Sequence, residues 1–357
     1  MGDRNGERGD GTSMVSASII ECIGGTPLVR LRRLFSHGPQ VYAKLELLNP
    51  GGSVKDRPAR YIIERGLRDG TIAPGATIVE SSSGNFGIAL AMAARIYELD
   101  FVCVVDPRIA PLNLRILEQL GARVEMVQRP DPFGGYLHTR LERVQELLAE
   151  IPGAYWLDQY ANEMNAQCHY DGIGSEIVEA LGTDEPVDVF VAAVSTSATL
   201  MGAARRLRDA YPGVRIVAVD AQGSVIFGGP PSRRSLPGIG SSRTPELLCE
   251  DEIDEVLYVD DFDSARGCRE LLRGEGILAG GSSGAVIAAV QRVVATLPAS
   301  ARVVTVLPDR GERYMDLVYD DAWVEAHRPA VPDVPPDPAQ PAPTVSRPAP
   351  VALTPTP

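Results

Sequence analysis

The sequence predicts an α/β protein with two doubly wound domains, each built on a twisted, mostly parallel sheet. Short runs rich in β-branched residues alternate with longer segments of helical periodicity, and this alternation is typical of parallel strands covered by helices on both faces. At 357 residues the chain is too long for one small core and suits two such domains. Its hydrophobic content of 44% and charged content of 23% are ordinary for a globular protein.

Eight segments are predicted as strands because each is a short apolar or β-branched run of the length of a buried parallel strand. In chain order they cover residues 41–48, 76–81, 101–105, 123–127, 188–194, 215–220, 255–259 and 302–307. Seven helices are predicted from the longer periodic segments, and they cover residues 58–68, 84–97, 113–120, 136–150, 198–211, 263–273 and 283–296. Ligands of open parallel sheets bind beyond the carboxyl ends of the strands, so a site is expected in the turns that follow them.

The two ends of the chain differ in composition from the rest. Residues 1–13 are dominated by glycine and charged residues, and residues 328–357 are rich in proline. Such compositions do not supply the apolar surface that a packed element needs. Both ends are therefore predicted to be disordered tails.

Charge and composition exclude several classes of function. The formal net charge of −13 and the lack of any basic block argue against nucleic acid or an anionic membrane as a partner. The five cysteines have no C-x-x-C spacing and the four histidines are scattered, so neither a disulfide framework nor a metal site is predicted. No secretory signal and no long apolar segment is evident, and a cytoplasmic protein is expected.

Lysine is rare in this chain: of 34 basic residues only Lys44 and Lys55 are lysines. Lys55 lies in the stretch NPGGSVKDRPARY, residues 49–61. A guanidinium keeps its proton, whereas burial can make an amine neutral, so a lysine retained here indicates a reactive amine. Two surface lysines in an arginine-rich chain remain the alternative. Lys44 is expected to pair with Glu46 or Glu80.

Four turns that open predicted helices are rich in glycine and hydroxyl side chains. They are NPGGSVK at 49–55, ESSSGNFG at 80–87, STSATLMG at 195–202 and AGGSSGA at 279–285. Free amides at a helix N-terminus, flanked by hydroxyls, bind phosphate or carboxylate groups. For any one turn alone, simple helix capping is the favoured interpretation, but four such turns in one chain, with the rare lysine in the first, weigh against it.

Other common nucleotide and hydrolase motifs do not occur in the sequence. There is no G-x-x-x-x-G-K-[ST] P-loop, no G-x-G-x-x-G after a strand and no G-x-S-x-G elbow. A lysine amine together with several anion-binding turns and no metal indicates pyridoxal phosphate. Its aldehyde matches the lysine, its phosphate matches one turn, and an amino-acid carboxylate matches another.

Five motifs together are similar to one known family. They are GGTPLVRL at 24–31, AKLELLNPGGSVKDR at 43–57, ESSSGNFGIALAMAA at 80–94, GILAGGSSGA at 276–285 and LPDRGERYMD at 307–316. Over residues 19–316 the chain resembles the cysteine synthase family of fold-type II pyridoxal-phosphate enzymes. The resemblance implies a homodimer with the cofactor in the cleft between two domains. It further implies a larger cofactor-binding domain of residues 14–40 and 155–327, and a smaller substrate-side domain of residues 41–154.

The resemblance also implies roles for single residues. Lys55 corresponds to the catalytic Schiff-base lysine, Asn85 to the asparagine at the pyridoxal hydroxyl, and Ser282 to the serine at the pyridine nitrogen. A neutral hydroxyl at that nitrogen favours β-elimination and replacement over transamination. The phosphate cup corresponds to Ser195, Thr196, Ser197, Ala198 and Thr199, and the substrate carboxylate site to Ser82, Ser83, Asn85 and Gln159.

Departures from the family pattern bear on the substrate. Phe86 replaces the second threonine of T-S-G-N-T-G, Tyr160 replaces phenylalanine after Gln159, and S-T-S-A-T at 195–199 replaces G-T-G-G-T. These stretches resemble the branch that joins O-phospho-L-serine to the amine of L-glutamate. Its product, N-(2-amino-2-carboxyethyl)-L-glutamate, is a precursor of 2,3-diaminopropionate in siderophores and peptide antibiotics.

Two polyanionic substrates require cations in the site. Arg140 and Arg243 are predicted to bind them, with Arg233 as a further candidate and with Tyr160 and Ser195 as polar partners of the second substrate. A cysteine synthase acting on O-acetylserine or O-phosphoserine with sulfide is the alternative function. A cofactor-binding relative without catalytic activity is the third hypothesis.

Overall fold

The computed structural model describes residues 15–131 and 135–329. The strands in these ranges are β1 (Leu28–Arg30), β2 (Gln40–Leu45), β3 (Thr77–Ser81), β4 (Asp100–Val105), β5 (Arg123–Met126), β6 (Tyr155–Trp156), β7 (Val189–Ala193), β8 (Arg215–Ala221), β9 (Glu255–Val259) and β10 (Arg302–Leu307). The predicted tail 1–13 lies outside the described residues, as does all but the first two residues of the predicted tail 328–357.

The helices of the same ranges are α1 (Asp56–Asp69), α2 (Asn85–Ile96), α3 (Pro111–Gln119), α4 (Leu137–Glu150), α5 (Glu163–His169), α6 (Ser175–Leu181), α7 (Ala198–Ala210), α8 (Asp261–Glu275), α9 (Gly281–Val294) and α10 (Asp321–Ala326). A π-helical turn, Tyr170–Gly174, joins α5 to α6. Short 3₁₀ turns account for Ile19–Cys22, Glu46–Leu48, Glu250–Glu252 and Gly311–Tyr314.

The strands form two sheets. The larger has six strands in the order β1-β2-β10-β7-β8-β9, and the smaller has four in the order β5-β4-β3-β6. Only β1 is antiparallel to its neighbour, and every other pair in the two sheets is parallel. The predicted α/β class with mostly parallel sheets is confirmed.

Both faces of each sheet are buried, as the doubly wound architecture requires. In β7, Val189 and Val191 pack into one cluster with α9, whereas Phe190 and Ala192 pack into another with α7. This follows from the two-residue repeat of a strand, which sends alternate side chains to opposite faces. A strand buried on both faces must be apolar throughout, which is why such runs stand out in the sequence.

Several elements differ from the sequence prediction. All eight predicted strands are present, but the first ends at Leu45 because residues 46–48 turn into a 3₁₀ helix. The additional strands β1 and β6 have three and two residues and were not predicted. The helices α5, α6 and α10 were also not predicted.

Sheet pairing differs from the predicted domain boundaries at two places. Strand β2 pairs with β10 in the six-stranded sheet, although residues 41–154 were assigned to the smaller domain. Strand β6 pairs with β3 in the four-stranded sheet, although residue 155 was assigned to the larger domain. The division into a larger and a smaller domain stays a prediction.

In residues 15–131 and 135–329, no helix has the length and apolarity needed to cross a membrane.

Candidate active site

A cavity of about 280 Å³ lies where turns from both sheets meet. Its walls include the turns that follow β3, β7 and β10, the residues before α1, and the start of α9. The glycine- and hydroxyl-rich turns at 49–55, 80–87 and 195–202 follow β2, β3 and β7, so they lie beyond the carboxyl ends of parallel strands. The fourth such turn, at 279–285, begins α9. Clefts at this edge of an open sheet are the usual ligand sites of α/β proteins.

Lys55 lines this cavity just before α1. Its turn is fixed by the Val54 amide, which donates to Pro308 O at 2.7 Å, and by a backbone bridge between Ser53 and Asp309. Burial lowers the pKa of Lys55 from its ordinary value, and the nearby Cys168 and Asp309 side chains oppose that shift without cancelling it. The position therefore favours a neutral amine facing the cavity.

Lys44 has a different environment. Its ammonium pairs with Glu176 at 2.5 Å and donates to Thr26 O, with 2% of the side chain exposed. The expected pairing of Lys44 with Glu46 or Glu80 was wrong. Glu46 forms an ion pair with Arg57 instead.

Asn85 is the first residue of α2 and lines the cavity. Its Nδ2 donates to Asp309 Oδ2 at 2.8 Å, and its Oδ1 accepts from Arg313 Nη1. Tyr314 OH also donates to Asp309 Oδ2, at 2.7 Å. Asp309, Arg313 and Tyr314 all line the cavity, although sequence analysis gave them no role. They lie in the motif LPDRGERYMD, which was the available signal.

The start of α7 has the features of an anion site. Ser197 precedes the helix with φ of 65°, and its Oγ is buried without a hydrogen-bond partner among the described residues. Ser195 Oγ donates to Gly240 O at 3.2 Å, and Thr199 Oγ1 lies 3.2 Å from His169 Nε2. Thr196 also lines the cavity, whereas Ala198 is buried in the helix behind it.

His169 supports this turn as a neutral group. It is fully buried, and burial lowers the pKa of its imidazole well below the ordinary value, with the charge of Arg57 acting in the same direction. A neutral ring can exchange a hydrogen bond with the Thr199 hydroxyl without adding charge.

Ser282, the second residue of α9, is buried and lines the cavity. The turn before it packs closely against the end of β10. Gly280 N donates to Asp309 O at 3.0 Å, and a Cβ at Gly280 would lie 2.1 Å from Asp309 Oδ1. Only glycine allows this approach, which brings Ser282 to the cavity wall.

The predicted carboxylate site lies at the end of β3. Ser82, Ser83, Phe86 and Gln159 all line the cavity. Ser82 Oγ accepts from Gly87 N at 3.1 Å, and Gln159 Nε2 donates to Ser81 O at 3.3 Å. The first bond lies within the turn after β3, and the second holds that turn against the loop that follows β6.

Glu80 was not predicted as a site residue, but it lines the same part of the cavity. It is 2% exposed, and its Oε1 accepts from Ser81 N at 2.8 Å and from Trp156 Nε1 at 3.2 Å. Burial raises its pKa to about 8, although those hydrogen bonds lower it. Its Oε2 is buried without a partner in the described ranges.

The predicted arginines are placed differently from one another. Arg140 lines the cavity with Tyr160, and it pairs with Asp106 at 3.3 Å. Arg243 stacks on the Tyr160 ring at 4.5 Å and pairs with Glu246 at 2.6 Å. It does not line the cavity itself and adjoins it only through Tyr160. Arg233 is exposed.

These residues fit pyridoxal phosphate. A helix N-terminus with a buried, unpartnered Ser197 hydroxyl can receive the phosphate, and the Lys55 amine can receive the aldehyde. Among the residues of known placement, no group of three His, Cys, Asp or Glu could hold a metal ion.

Comparison with known proteins defines the class. A model of the pyridoxal-phosphate dependent enzymes matches residues 19–309. The chain belongs to this family, and the predicted family, fold class and cofactor are confirmed.

Its relatives define the type of reaction. Over 312 residues the chain is 60% identical to N-(2-amino-2-carboxyethyl)-L-glutamate synthase from Ralstonia nicotianae, covering 87% of this chain and 92% of the relative. Among solved structures, O-acetylserine dependent cystathionine beta-synthase from Helicobacter pylori is 33% identical, with a TM-score of 0.79 over 85% of this chain and 98% of that chain. O-ureido-L-serine synthase is 32% identical, with a TM-score of 0.79 over 87% and 99% of the two chains. The chain is thus a pyridoxal-phosphate dependent transferase of the β-replacement type.

Proposed function

We propose that this enzyme joins O-phospho-L-serine and L-glutamate to give N-(2-amino-2-carboxyethyl)-L-glutamate and phosphate. The observation that carries the proposal is the polar wall formed by Arg140, Tyr160 and Ser195 in the cavity that contains Lys55. The cysteine synthase pattern has phenylalanine and glycine where this chain has Tyr160 and Ser195. An acceptor with two carboxylates needs such a wall, whereas sulfide does not. The name of the Ralstonia relative supports the same product.

The cofactor is held by residues that already converge on the cavity. In this proposal Lys55 would bind the aldehyde and Asn85 would donate to the 3′-oxygen. The Ser282 hydroxyl would lie at the ring nitrogen. The turn from Ser195 to Thr199 binds the phosphate with backbone amides and with the Ser197 hydroxyl. What pyridoxal phosphate supplies when bound is stabilisation of negative charge at the substrate Cα.

Lys55 then acts as the base and acid of the reaction. Its amine, whose pKa is lowered by burial, takes the proton from the substrate Cα and later returns it. Ser82, Ser83 and Gln159 bind the substrate carboxylate and keep the Cα–H bond towards Lys55. Loss of phosphate from Cβ opens that carbon to attack by the glutamate amine.

The second substrate binds at Arg140 and Tyr160, which line the same cavity. Arg140 binds a carboxylate of glutamate with guanidinium nitrogens, of which Nε is buried and unpartnered within the described part of the chain. The Tyr160 hydroxyl donates to the same substrate. Arg243 stacks on the Tyr160 ring and keeps it in place.

A product assay tests this proposal. Holoenzyme is mixed with O-phosphoserine or O-acetylserine, and separately with glutamate or sulfide, and the products are identified by mass. We expect the glutamate adduct with O-phosphoserine. Cysteine formation without a glutamate adduct would contradict the proposal and support the alternative, a cysteine synthase.

A matched pair of variants sharpens the assay. Tyr160→Phe removes one hydroxyl and is expected to reduce adduct formation about tenfold, the effect of one hydrogen bond to a charged group. Glu118→Gln, on the exposed side of α3, is expected to leave it unchanged. Equal loss with sulfide as acceptor would contradict the role of Tyr160 in binding glutamate.

We further propose that the product serves 2,3-diaminopropionate formation for a siderophore or peptide antibiotic, and that the enzyme is a homodimer. Light scattering of the purified full chain tests the second statement. A mass of one chain at micromolar concentration would contradict it.

A further inference from the structure

The Asn85 amide lies between two charged side chains from the segment after β10. Its Nδ2 donates to Asp309 Oδ2 at 2.8 Å, and its Oδ1 accepts from Arg313 Nη1. A guanidinium has only donors and a carboxylate has only acceptors. The cation therefore determines where the amide oxygen lies, and the anion determines where the nitrogen lies.

Both charged residues are themselves held in place. Arg313 Nη2 donates to Gly51 O at 2.9 Å, in the turn that carries Lys55. Asp309 is 1% exposed, accepts from Tyr314 OH at 2.7 Å and lies against Gly280. Neither side chain can turn away from Asn85 without breaking these contacts.

We propose that Asp309 and Arg313 are positioning residues that fix the orientation of the Asn85 amide towards bound pyridoxal phosphate. Nδ2 carries two hydrogens, and Asp309 takes one of them. The second is left for the 3′-oxygen of the cofactor. If the amide turned over, its oxygen would face the 3′-oxygen and two acceptors would repel each other.

This inference rests on the proposed contact between Asn85 and the 3′-oxygen, and it is independent of which substrates the enzyme uses. A hydrogen bond donated to the 3′-oxygen favours its ionised form. The bound cofactor has two absorption bands whose ratio follows the proton on that oxygen. Asp309 and Arg313 should therefore influence the absorption spectrum of the holoenzyme even though neither needs to touch the 3′-oxygen.

The test compares absorption spectra of holoenzyme variants without substrate. In Asp309→Asn the ratio of ionised to protonated form is expected to fall about threefold to tenfold, the ratio that one ordinary hydrogen bond represents. Asn85→Ala should cause a fall at least as large. With Asn85→Ala already present, Asp309→Asn should change the ratio by less than about twofold, because effects that pass through one residue are not additive.

Three further variants control for charge, for folding and for the donor character of residue 313. Asp316→Asn removes the same charge from an exposed position of the same segment and is expected to leave the ratio unchanged. Tyr314→Phe removes only the hydroxyl that donates to Asp309 and should shift the ratio in the same direction by less. It is informative even if Asp309→Asn does not fold, and its shift should also vanish with Asn85→Ala. Arg313→Lys, which again offers only donors, should retain most of the wild-type ratio.

Two results would overturn the inference in different ways. If Asp309→Asn or Tyr314→Phe shifts the ratio equally with and without Asn85, the carboxylate acts on the cofactor by another route and the inference alone is wrong. If Asn85→Ala leaves the ratio unchanged, the proposed contact of Asn85 is wrong as well. The identity of the substrates is tested separately by the product assay.

Discussion

The two lysines of the chain differ in whether a carboxylate pairs with the amine. The amine of Lys44 is buried and pairs with Glu176 at 2.5 Å. In the described ranges no carboxylate lies within ion-pair distance of Lys55, and burial lowers its pKa. Only Lys55 is therefore suited to bind an aldehyde and to exchange a proton near neutral pH.

Reductive trapping tests this difference. Borohydride treatment of the holoenzyme is expected to attach the cofactor permanently to the peptide that contains Lys55, detected by mass spectrometry. Lys55→Ala should abolish the label and lower turnover about a hundredfold to ten-thousandfold. Lys44→Arg, which keeps the ion pair with Glu176, should retain the label. A label on Lys44 would contradict the assignment.

Glu80 predicts a pH dependence of stability. Burial raises its pKa to about 8, so the folded protein holds a proton that the unfolded chain releases near pH 4.5. The stability that protonated Glu80 gives the folded state is complete below about pH 4.5 and is lost as the pH rises through about 8. Glu80→Gln is expected to be more stable than wild type at pH 9 by on the order of 5 kcal/mol.

Urea unfolding of the apoprotein at a series of pH values measures this effect. Glu118→Gln, exposed on α3, is the control and should follow the wild-type curve. A wild-type stability that does not fall between pH 5 and 8 relative to Glu80→Gln would show that Glu80 ionises normally.

At the scale of elements, the start of α7 combines backbone strain at Ser197 with a Ser197 hydroxyl that has no hydrogen-bond partner among the described residues. Ser197 has a φ of 65°, a left-handed conformation that costs a non-glycine residue about 1 kcal/mol. Ser197→Gly should therefore raise the stability of the apoprotein by up to that amount. The same change removes the Oγ proposed to bind phosphate and should weaken pyridoxal phosphate binding about fivefold.

Ser197→Ala separates the two effects, because it keeps the Cβ and removes only the hydroxyl. It should weaken cofactor binding to the same degree without gaining stability. Thermal unfolding of the apoprotein and fluorescence titration with pyridoxal phosphate measure the two quantities. Unchanged binding in both variants would mean that the phosphate is bound by backbone amides alone.

The sequence predicted those parts of the fold and site that produce a recognisable pattern within a short stretch of residues. Strands buried on both faces are continuous apolar runs, and turns such as Ser195 to Thr199 follow them directly. Strands β1 and β6 are too short for any periodicity, and glycines in the π turn interrupt the α5–α6 pattern. The roles of Asp309 and Arg313 depend on contacts with Asn85 across 224 and 228 residues, which no local pattern contains.

At the scale of the whole molecule, one buried ionic cluster links the two sheets. Arg57 of α1 bonds Glu46 at 2.6 Å and Glu176 of α6 at 2.7 Å. Helix α1 packs in the core beside the four-stranded sheet, whereas α6 packs beside the six-stranded sheet. Burial alone would raise the pKa of Glu176, but hydrogen bonds and charge from Arg57 and Lys44 outweigh it and hold the pKa at about 2.

Removing Arg57 should separate the unfolding of the two sheets. Arg57→Met leaves buried Glu46 without its cation, a loss expected to cost about 3–5 kcal/mol. Trp156 in β6 and Trp323 in α10 are the only tryptophans, so single-tryptophan variants report on each side. In wild type the two urea transitions should coincide, and in Arg57→Met they should lie at different concentrations. Arg60→Met removes a partly exposed ion pair with Glu64 and a hydrogen bond to Ile23 O, and it should change stability by about 1 kcal/mol and keep the two transitions together. Coincident transitions in Arg57→Met would mean that apolar packing, and not this cluster, makes the two sheets unfold as one.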